Sequence, residues 1–241
     1  MFNIKKILRK LGYQNFLELN NEFDSIISIY YNKESNELRE LAEKYGSDKG
    51  EVFELGHPYT WPSHSYADFY YRLFSNNKNT IKKVLECGIG TNNPSLISSM
   101  GIEGVPGASL KIWRDFFPNA QIYGVDIDRN ILFQDERIQT FYVDQLDKNS
   151  IASFWKKVNF DSFDFIIDDG LHTFEAGSCF FEHSYNYLCD KGIYIIEDVC
   201  IDDFLKYKNF FLNFRCHVDY VCLKRPHHKL GDNNLIVIRK Y

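Results

Sequence analysis

Three features are missing from the sequence, and each absence argues against a class of protein. No apolar run approaches the ~18 residues of a transmembrane helix, so we expect no membrane span. The six cysteines include no C-x-x-C pair, which favours buried free thiols and a cytoplasmic location. The net charge of -5 provides no excess of positive charge for phosphates, so nucleic acid is not an expected partner.

What the sequence does contain is enough apolar material for a sizeable core. Its 241 residues, 44% of them hydrophobic, suit one large domain or a core domain with an appendage. Apolar residues recur at helical spacing in residues 1–45, and glycine and proline then interrupt residues 46–65. We therefore predict an N-terminal helical cap with an irregular segment over 1–65, and a core domain over 66–241. Such short helices are marginal alone in water, so the cap should pack on the core or on a second copy of the chain.

From residue 81 onward, short apolar segments alternate with helical stretches. This pattern predicts strands at 82–88, 121–128, 137–144, 163–169 and 192–199, and helices at 108–117, 148–157 and 175–188. Two final apolar segments, 216–223 and 233–241, have no helix between them and predict an antiparallel hairpin. The predicted fold is α/β: a doubly wound, mostly parallel seven-stranded sheet of order 3-2-1-4-5-7-6, with the last strand antiparallel and helices on both faces.

The first predicted strand of this sheet ends in a glycine turn. Gly88 and Gly90 follow Glu86, and a G-x-G turn lets the backbone approach a ligand closely. No third glycine follows at the dinucleotide spacing, and the segment 91–107 separates the turn from the next helix. Both features argue against a pyrophosphate bound at a helix N-terminus.

Carboxylates end the second and third predicted strands. Asp126 and Asp128 end the second strand, where a carboxylate can accept hydrogen bonds from two ribose hydroxyls. Asp144 ends the third strand, within reach of an adenine amino group. A solvated acid in a turn is the alternative interpretation of each of these residues.

More acids end the first, fourth and fifth predicted strands, which should be neighbours in the sheet. They are Glu86, Asp168, Asp169, Glu197 and Asp198. Because neighbouring strands lie ~4.8 Å apart, these acids would repel one another unless a cation joined them, and oxygen ligands suit Mg²⁺. His172 follows on the same edge and could take a proton from a hydroxyl that the metal activates. Alternatively, Asp169 caps the next helix and His172 is an ordinary surface residue.

Five segments in this order resemble a known family. They are VLECGIG (84–90), GASLKIWRDFFPNAQIYGVDID (107–128), DQLD (144–147), FDFIIDDGLH (163–172) and GIYIIEDV (192–199). The chain resembles class I S-adenosylmethionine-dependent methyltransferases, in particular the metal-dependent sugar O-methyltransferases of the macrocin O-methyltransferase type. LAEKYGSDKG (41–50) and HPYT (57–60) are similar to an N-terminal signature of that group, so the resemblance spans about 41–199.

The resemblance implies a role for each strand-end residue. Gly88 and Gly90 would lie under the methionine part of S-adenosylmethionine, Asp126 would hold the ribose, and Asp144 would lie near the adenine. Asp169 and Asp198 would bind Mg²⁺ or a similar cation, and His172 would be the general base, with Asp169 also counted as catalytic. Further cofactor contacts are expected from Glu86, Asp128 and Asp168, with a contribution of Glu86 to the metal site left open.

Several alternatives fit parts of the sequence. Tyr187 and Lys191 match the Y-x-x-x-K pattern of short-chain dehydrogenases, although the glycine fingerprint of that family is missing. An N-methyltransferase acting on a small amino or phosphorylated compound would need no metal, and an inactive cofactor-binding scaffold would need no base. The expected acceptor is a sugar or nucleotide-sugar. Its site would be shaped by aromatic and histidine side chains: His57, Tyr59, Trp61, His64, His227 and His228.

Overall fold

A central β-sheet organises the protein, and the computed structural model describes it through residues 26–30, 34–50, 59, 61–158, 162–225 and 230–240. The strands are β1 (Ile27–Tyr30), β2 (Lys83–Cys87), β3 (Gln121–Asp126), β4 (Gln134–Asp135), β5 (Ile138–Tyr142), β6 (Phe163–Asp168), β7 (Leu188–Ile196), β8 (Cys216–Lys224) and β9 (Asn234–Lys240). The helices are α1 (Glu37–Tyr45), α2 (Tyr66–Phe74), α3 (Ala108–Phe116), α4 (Lys148–Val158), α5 (Phe174–Ser184) and α6 (Phe204–Phe211).

The strand order confirms the predicted doubly wound arrangement. It runs β1-β8-β9-β7-β6-β2-β3-β5-β4, and the five strands from β5 to β7 are parallel to one another. Strand β9 is antiparallel to both of its neighbours, as predicted. The central strands β2 and β6 are buried almost throughout, which explains their near-continuous apolar sequences. The short strand β4 and the strand β1 extend the predicted seven strands to nine.

Strand β1 corrects the prediction that residues 1–45 are helical. Ile27 pairs with Val221 and Ile29 with Leu223, in a parallel ladder along β8. The segment ISIY is rich in β-branched and aromatic residues, which favour a strand where a sheet edge is available. Helix α1 agrees with the prediction, whereas the proposed helix around Ile4 to Leu11 lies outside the described residues.

The end of the predicted helix 175–188 is also wrong. Helix α5 ends at Ser184, a single 3-10 turn follows, and β7 already begins at Leu188. Tyr187 therefore lies in the turn and Lys191 in the strand, so the two residues do not share a helix face. The dehydrogenase alternative loses its support, because its tyrosine and lysine must project from one helix.

Helix α1 packs into the same core as the sheet. Asn36 caps its N-terminus by accepting hydrogen bonds from the backbone N–H groups of Leu38 and Arg39, and the helix ends at Gly46 in the left-handed conformation. Leu38 and Ala42 belong to one apolar cluster with Trp113 of α3. The domain boundary at residue 65 stays a prediction, but α1 is an integral part of this core.

Two further expectations concern the membrane and the cysteines. Across the described residues no helix combines the length and apolar character that a membrane crossing requires. All six cysteines are free, and Cys87 and Cys222 are buried as expected. Cys200 is exposed, because it lies in the loop after β7 rather than in an apolar strand.

Candidate active site

A cavity of about 330 Å³ opens at the carboxyl ends of the parallel strands. It brings together most of the residues predicted for the site. One part of its wall, here called the glycine side, contains Gly88, Gly90, Asp126 and Asp144. The other part, the histidine side, contains His64, Asp169, His172 and Asp198. Glu86, Asp128 and Asp168 were predicted at the cofactor but do not line this cavity.

The glycine turn after β2 is required by the closeness of the next strand end. Gly88 has a φ of 83°, and a Cβ atom there would lie 2.0 Å from the backbone oxygen of Asp169. The backbone N–H of Asp169 donates to the carbonyl of Cys87 at 2.8 Å. Only glycine satisfies both the left-handed conformation and this contact. The turn therefore brings Gly88 of the glycine side against the backbone of Asp169 of the histidine side.

Backbone groups hold the acids after β3. Asp126 accepts the N–H of Ile89 at 2.9 Å and the N–H of Asp128 at 2.8 Å, and burial raises the pKa of its carboxyl. Asp128 accepts the hydroxyl of Thr91 at 2.7 Å and the N–H of Asn130 at 2.9 Å, and these bonds lower its pKa. Asp126 faces the cavity, whereas Asp128 fixes the two loops behind it.

Asp168 lies behind the cavity wall, underneath Gln145. The amide of Gln145 donates to Asp168 Oδ1 at 2.6 Å and accepts the backbone N–H of Leu171 at 2.9 Å. Burial raises the pKa of Asp168 to about 7. Gln145 thus covers the carboxylate that was predicted to face the cofactor, and ties the loop after β5 to the loop after β6.

Lys49 is a site residue that sequence reasoning missed. Its Nζ lies 2.6 Å from Asp169 Oδ2 and 3.3 Å from Glu86 Oε1, and it also donates to Glu197. Burial lowers the pKa of Lys49, but the charges of these three carboxylates outweigh burial and raise it well above its usual value. The expected repulsion among the strand-end acids is therefore relieved in part by a side chain of the protein itself.

This ion cluster corrects the position expected for Glu86. Glu86 is fully buried, accepts the indole N–H of Trp113 at 3.0 Å, and has a pKa that burial raises to about 7. Glu197 is equally buried and accepts the hydroxyl of Tyr70. Lys49 belongs to the segment LAEKYGSDKG (41–50), which the family resemblance already included. Its partners Asp169 and Glu197 lie 120 and 148 residues further along the chain, so the sequence alone did not connect them.

Asp169, His172 and Asp198 form the one group of possible metal ligands found in the described part of the chain. One ligand atom from each residue lies within 4.8 Å of the others. His172 Nε2 lies 3.2 Å from Asp169 Oδ1 and 3.5 Å from Asp198 Oδ2. His172 and Asp198 have backbone φ values of 58° and 52°, a left-handed conformation that residues other than glycine adopt rarely. Burial lowers the pKa of His172, but the charges of Asp198 and Asp169 raise it to about 10.

The donor atoms of this group fit a divalent cation. Lys49 binds Oδ2 of Asp169 and Tyr66 binds Oδ1 of Asp198, so the remaining oxygens of the two carboxylates both face His172. Two carboxylate oxygens suit Mg²⁺ or Mn²⁺, whose other positions water or a substrate oxygen can fill, so that His172 Nε2 is left for a proton.

The chain from α1 to Tyr66 at the start of α2, here called the N-terminal segment, supplies the rest of the histidine side. The ring of His64 stacks on Tyr66 with centroids 4.8 Å apart, and its Nε2 lies 3.3 Å from Asp198 Oδ1. The indole N–H of Trp61 donates to Asp48 Oδ2 at 2.8 Å. Tyr59 is buried and donates to the carbonyl of Gly46. The other three predicted acceptor residues lie outside the described part of the chain: His57, His227 and His228.

A doubly wound sheet of this order, with a glycine turn and an acid at the ends of its central strands, defines the class I methyltransferase fold. Comparison with solved structures agrees: MycE, the methyltransferase from the mycinamycin biosynthetic pathway in complex with Mg and SAH, is 22% identical with a TM-score of 0.60. The match covers 86% of this chain and 55% of that one. This likeness establishes the fold.

The resemblance to sugar O-methyltransferases is confirmed by curated proteins, although no protein-family profile matches the chain. Mycinamicin VI 2''-O-methyltransferase of Micromonospora griseorubida is 31% identical over 159 residues, which are 64% of this chain and 37% of that protein. Demethylmacrocin O-methyltransferase of Streptomyces fradiae is 31% identical over 165 residues, which are 68% of this chain and 36% of that protein. The chain spans just over a third of the length of these relatives.

Proposed function

We propose that the protein is an S-adenosylmethionine-dependent O-methyltransferase that methylates a sugar hydroxyl with the help of a divalent cation. The observation that carries the proposal is the convergence of Asp169, His172 and Asp198 on the cavity that the glycine turn borders. The names of the relatives support it, because they describe O-methyltransferases, one of them for a rhamnosyl compound, and MycE has been crystallised with Mg and SAH.

The glycine side suits the cofactor, which when bound supplies an electrophilic methyl group. Gly88 and Gly90 would lie along its methionine part, Asp126 at the ribose and Asp144 near the adenine. Each oxygen of Asp126 accepts one backbone N–H, and a carboxylate oxygen has a second lone pair. Asp126 can therefore still accept hydrogen bonds from ribose hydroxyls.

The histidine side suits proton removal from the acceptor. A divalent cation, when bound by Asp169 and Asp198, would lower the pKa of a sugar hydroxyl. His172 Nε2 would accept the proton once the cation takes the Asp169 oxygen that Nε2 contacts at 3.2 Å. The same cation would offset the charge of the two carboxylates and lower the pKa of His172 toward its ordinary range, which a base requires.

Two other functions were compatible with the sequence. Methyl transfer to a nitrogen needs no metal, and the convergent carboxylate oxygens of Asp169 and Asp198 favour an oxygen acceptor instead. An inactive scaffold would not need His172 to remain between the two acids. A homo-oligomer formed through the N-terminal residues stays a prediction.

The proposal is tested by methyl transfer from S-adenosylmethionine to a panel of glycosides and nucleotide-sugars, with Mg²⁺ and with EDTA. Turnover should require the cation. His172→Ala should lower turnover by about 10²–10⁴-fold, the usual contribution of a positioned base, and leave S-adenosylhomocysteine binding nearly unchanged. His183→Ala is the matched control, because His183 is exposed on α5. Undiminished turnover after rigorous chelation would rule out the metal site and favour a nitrogen acceptor.

A further inference from the structure

The cavity wall beyond Asp198 contains side chains that the proposed reaction does not use. Trp61, His64, Asp48 and Asp232 line the cavity together. Trp61 is partly exposed, whereas Trp113 and Trp155 are 1% and 2% exposed. Because Trp61 donates its indole N–H to Asp48, the orientation of its ring is fixed. An oriented, partly exposed indole on a cavity wall offers a flat apolar surface beside polar groups.

His64 carries a polar atom that is buried without a hydrogen bond. The residue is 6% exposed, and within the described residues its Nε2 has no hydrogen-bond partner of good geometry. Nε2 lies 3.3 Å from Asp198 Oδ1 and 3.7 Å from Asp232 Oδ1, while Asp232 itself is about half exposed. These contacts are longer than a good hydrogen bond, so a sugar hydroxyl that reached Nε2 would displace no existing hydrogen bond there.

We propose that Asp48, Trp61, His64 and Asp232 form an acceptor subsite that binds the ring of an uncharged pyranoside. This inference rests on the proposed function. The apolar face of a sugar ring packs against an indole, and sugar hydroxyls can bond to carboxylates and to imidazole nitrogen. His64 and His172 contact opposite oxygens of Asp198. A ring in this subsite therefore has a hydroxyl beside the metal ligands and the base.

Asp48 and Asp232 place two carboxylates in the subsite itself, outside the group that would bind the cation, and these disfavour phosphate. Of the described lining residues seven are carboxylates, and Lys49 is the single lysine or arginine among them. Lys49 is already paired with three carboxylates, so it is not free to bind a phosphate. The subsite therefore favours the sugar of a glycoside over a sugar phosphate or the diphosphate of a nucleotide-sugar.

Tryptophan fluorescence gives a direct test, because Trp61 is more exposed than Trp113 and Trp155. The full chain, saturated with S-adenosylhomocysteine and Mg²⁺, is titrated with methyl α-D-glucopyranoside, methyl α-L-rhamnopyranoside, glucose 1-phosphate and UDP-glucose. At least one methyl pyranoside should give a saturable change that Trp61→Phe removes. Both phosphorylated probes should bind at least about tenfold more weakly. Equal binding of the phosphorylated probes, or no saturable change with either pyranoside, would overturn the subsite.

Kinetics separates this subsite from the proposed function itself. With the pyranoside that gives turnover, Trp61→Ala and Asp232→Asn should raise KM for the acceptor at least about tenfold. They should change kcat less than about threefold and leave S-adenosylhomocysteine affinity unchanged. Asp190→Asn, an exposed acid on β7, is the matched control. Sugar methylation with an unchanged KM in both variants would overturn the subsite alone. If S-adenosylhomocysteine does not bind, the proposed function fails, and the fluorescence titration repeated with Mg²⁺ alone still decides whether the subsite exists.

Discussion

The two sides of the cavity are built in different ways. On the glycine side the acids bind backbone N–H groups of neighbouring strand ends, as Asp126 does with Ile89 and Asp128. On the histidine side the acids bind side chains from the N-terminal segment: Lys49 reaches Asp169 across 120 residues, and Tyr66 reaches Asp198 across 132.

This difference has a physical consequence. Backbone donors are fixed by the strands themselves, so the glycine side should form whenever β2, β3 and β5 pair. The histidine side requires α1 and the segment after it to dock first, because Lys49 and His64 lie on that segment. Docking in turn places the ammonium group of Lys49 beside the carboxylates of Glu86, Asp169 and Glu197, which would otherwise be buried without a partner. The N-terminal segment is therefore as much a part of the candidate site as the sheet.

The largest expected effect is the loss of Lys49. Lys49→Met leaves the carboxylates of Glu86, Asp169 and Glu197 without their common partner. Removal of one partner of a buried ion pair typically costs about 3–5 kcal/mol, and we expect the free energy of unfolding to fall by that amount in urea denaturation. The glycine side should be spared, so that affinity for S-adenosylhomocysteine under native conditions changes less than about threefold.

A second variant checks that charge is the cause. The double variant Lys49→Met with Glu86→Gln removes one charge of each sign, and the introduced amide oxygen can still accept the indole N–H of Trp113. We expect it to regain about 1–2 kcal/mol of the lost stability, because one fewer buried carboxylate is left unpaired. If Lys49→Met lowered the free energy of unfolding by less than about 1 kcal/mol, the ion cluster would not be what holds the N-terminal segment to the strand ends.

A change on the glycine side should have a smaller and more local effect. Asp126→Ala leaves the backbone N–H groups of Ile89 and Asp128 without an acceptor, which should cost about 2–3 kcal/mol of stability. S-adenosylhomocysteine affinity, measured by calorimetry, should fall at least about tenfold. Mn²⁺ binding, measured by electron paramagnetic resonance, should be unchanged because the metal group lies on the other side.

The conservative variant of this residue supplies the control. Asp126→Asn keeps one oxygen acceptor for a backbone N–H, so it should lose less stability than Asp126→Ala. If Asp126→Ala weakened the binding of both S-adenosylhomocysteine and Mn²⁺, the glycine side and the histidine side would not be independent of each other.

The same contrast explains what the sequence could predict. The sheet order follows from strand periodicity, and the rule that parallel strands end on one edge places the strand-end acids beside His172. The choice of Asp169 and Asp198 among those acids came from the family resemblance. Lys49 could not be placed, since its position depends on how the segment after α1 docks. The same limit applies to β1, whose partner β8 lies almost 200 residues away in the chain. Asp168 does not line the cavity, because adjacent residues of an extended chain face opposite ways, and of the pair only Asp169 reaches it.

The smallest expected effect concerns a contact of the N-terminal segment that lies away from the cavity. Asp115 of α3 accepts the hydroxyl of Tyr45 at 2.5 Å and the ammonium of Lys44 at 3.0 Å, at the end of α1. Burial raises the pKa of Asp115, but bonds from Tyr45, Arg114 and Lys44 outweigh it and lower the pKa to about 2. Because the folded protein binds this proton less readily than the unfolded chain, the ionised carboxylate stabilises the fold above about pH 4 and stops doing so as the pH falls toward 2.

Asp115→Asn should therefore cost only about 0.5–1 kcal/mol at pH 7, since its partners are partly exposed and solvent screens the interaction. The cost should shrink at pH 3, where the wild-type carboxylate begins to protonate, and also in 1 M NaCl. Urea denaturation at both pH values measures the difference, with Asp190→Asn as an exposed control. A cost that is equal at pH 7 and pH 3 would show that Asp115 acts through packing rather than charge. A cost as large as that of Lys49→Met would mean that α1 is held at this contact and not at the ion cluster beneath the cavity.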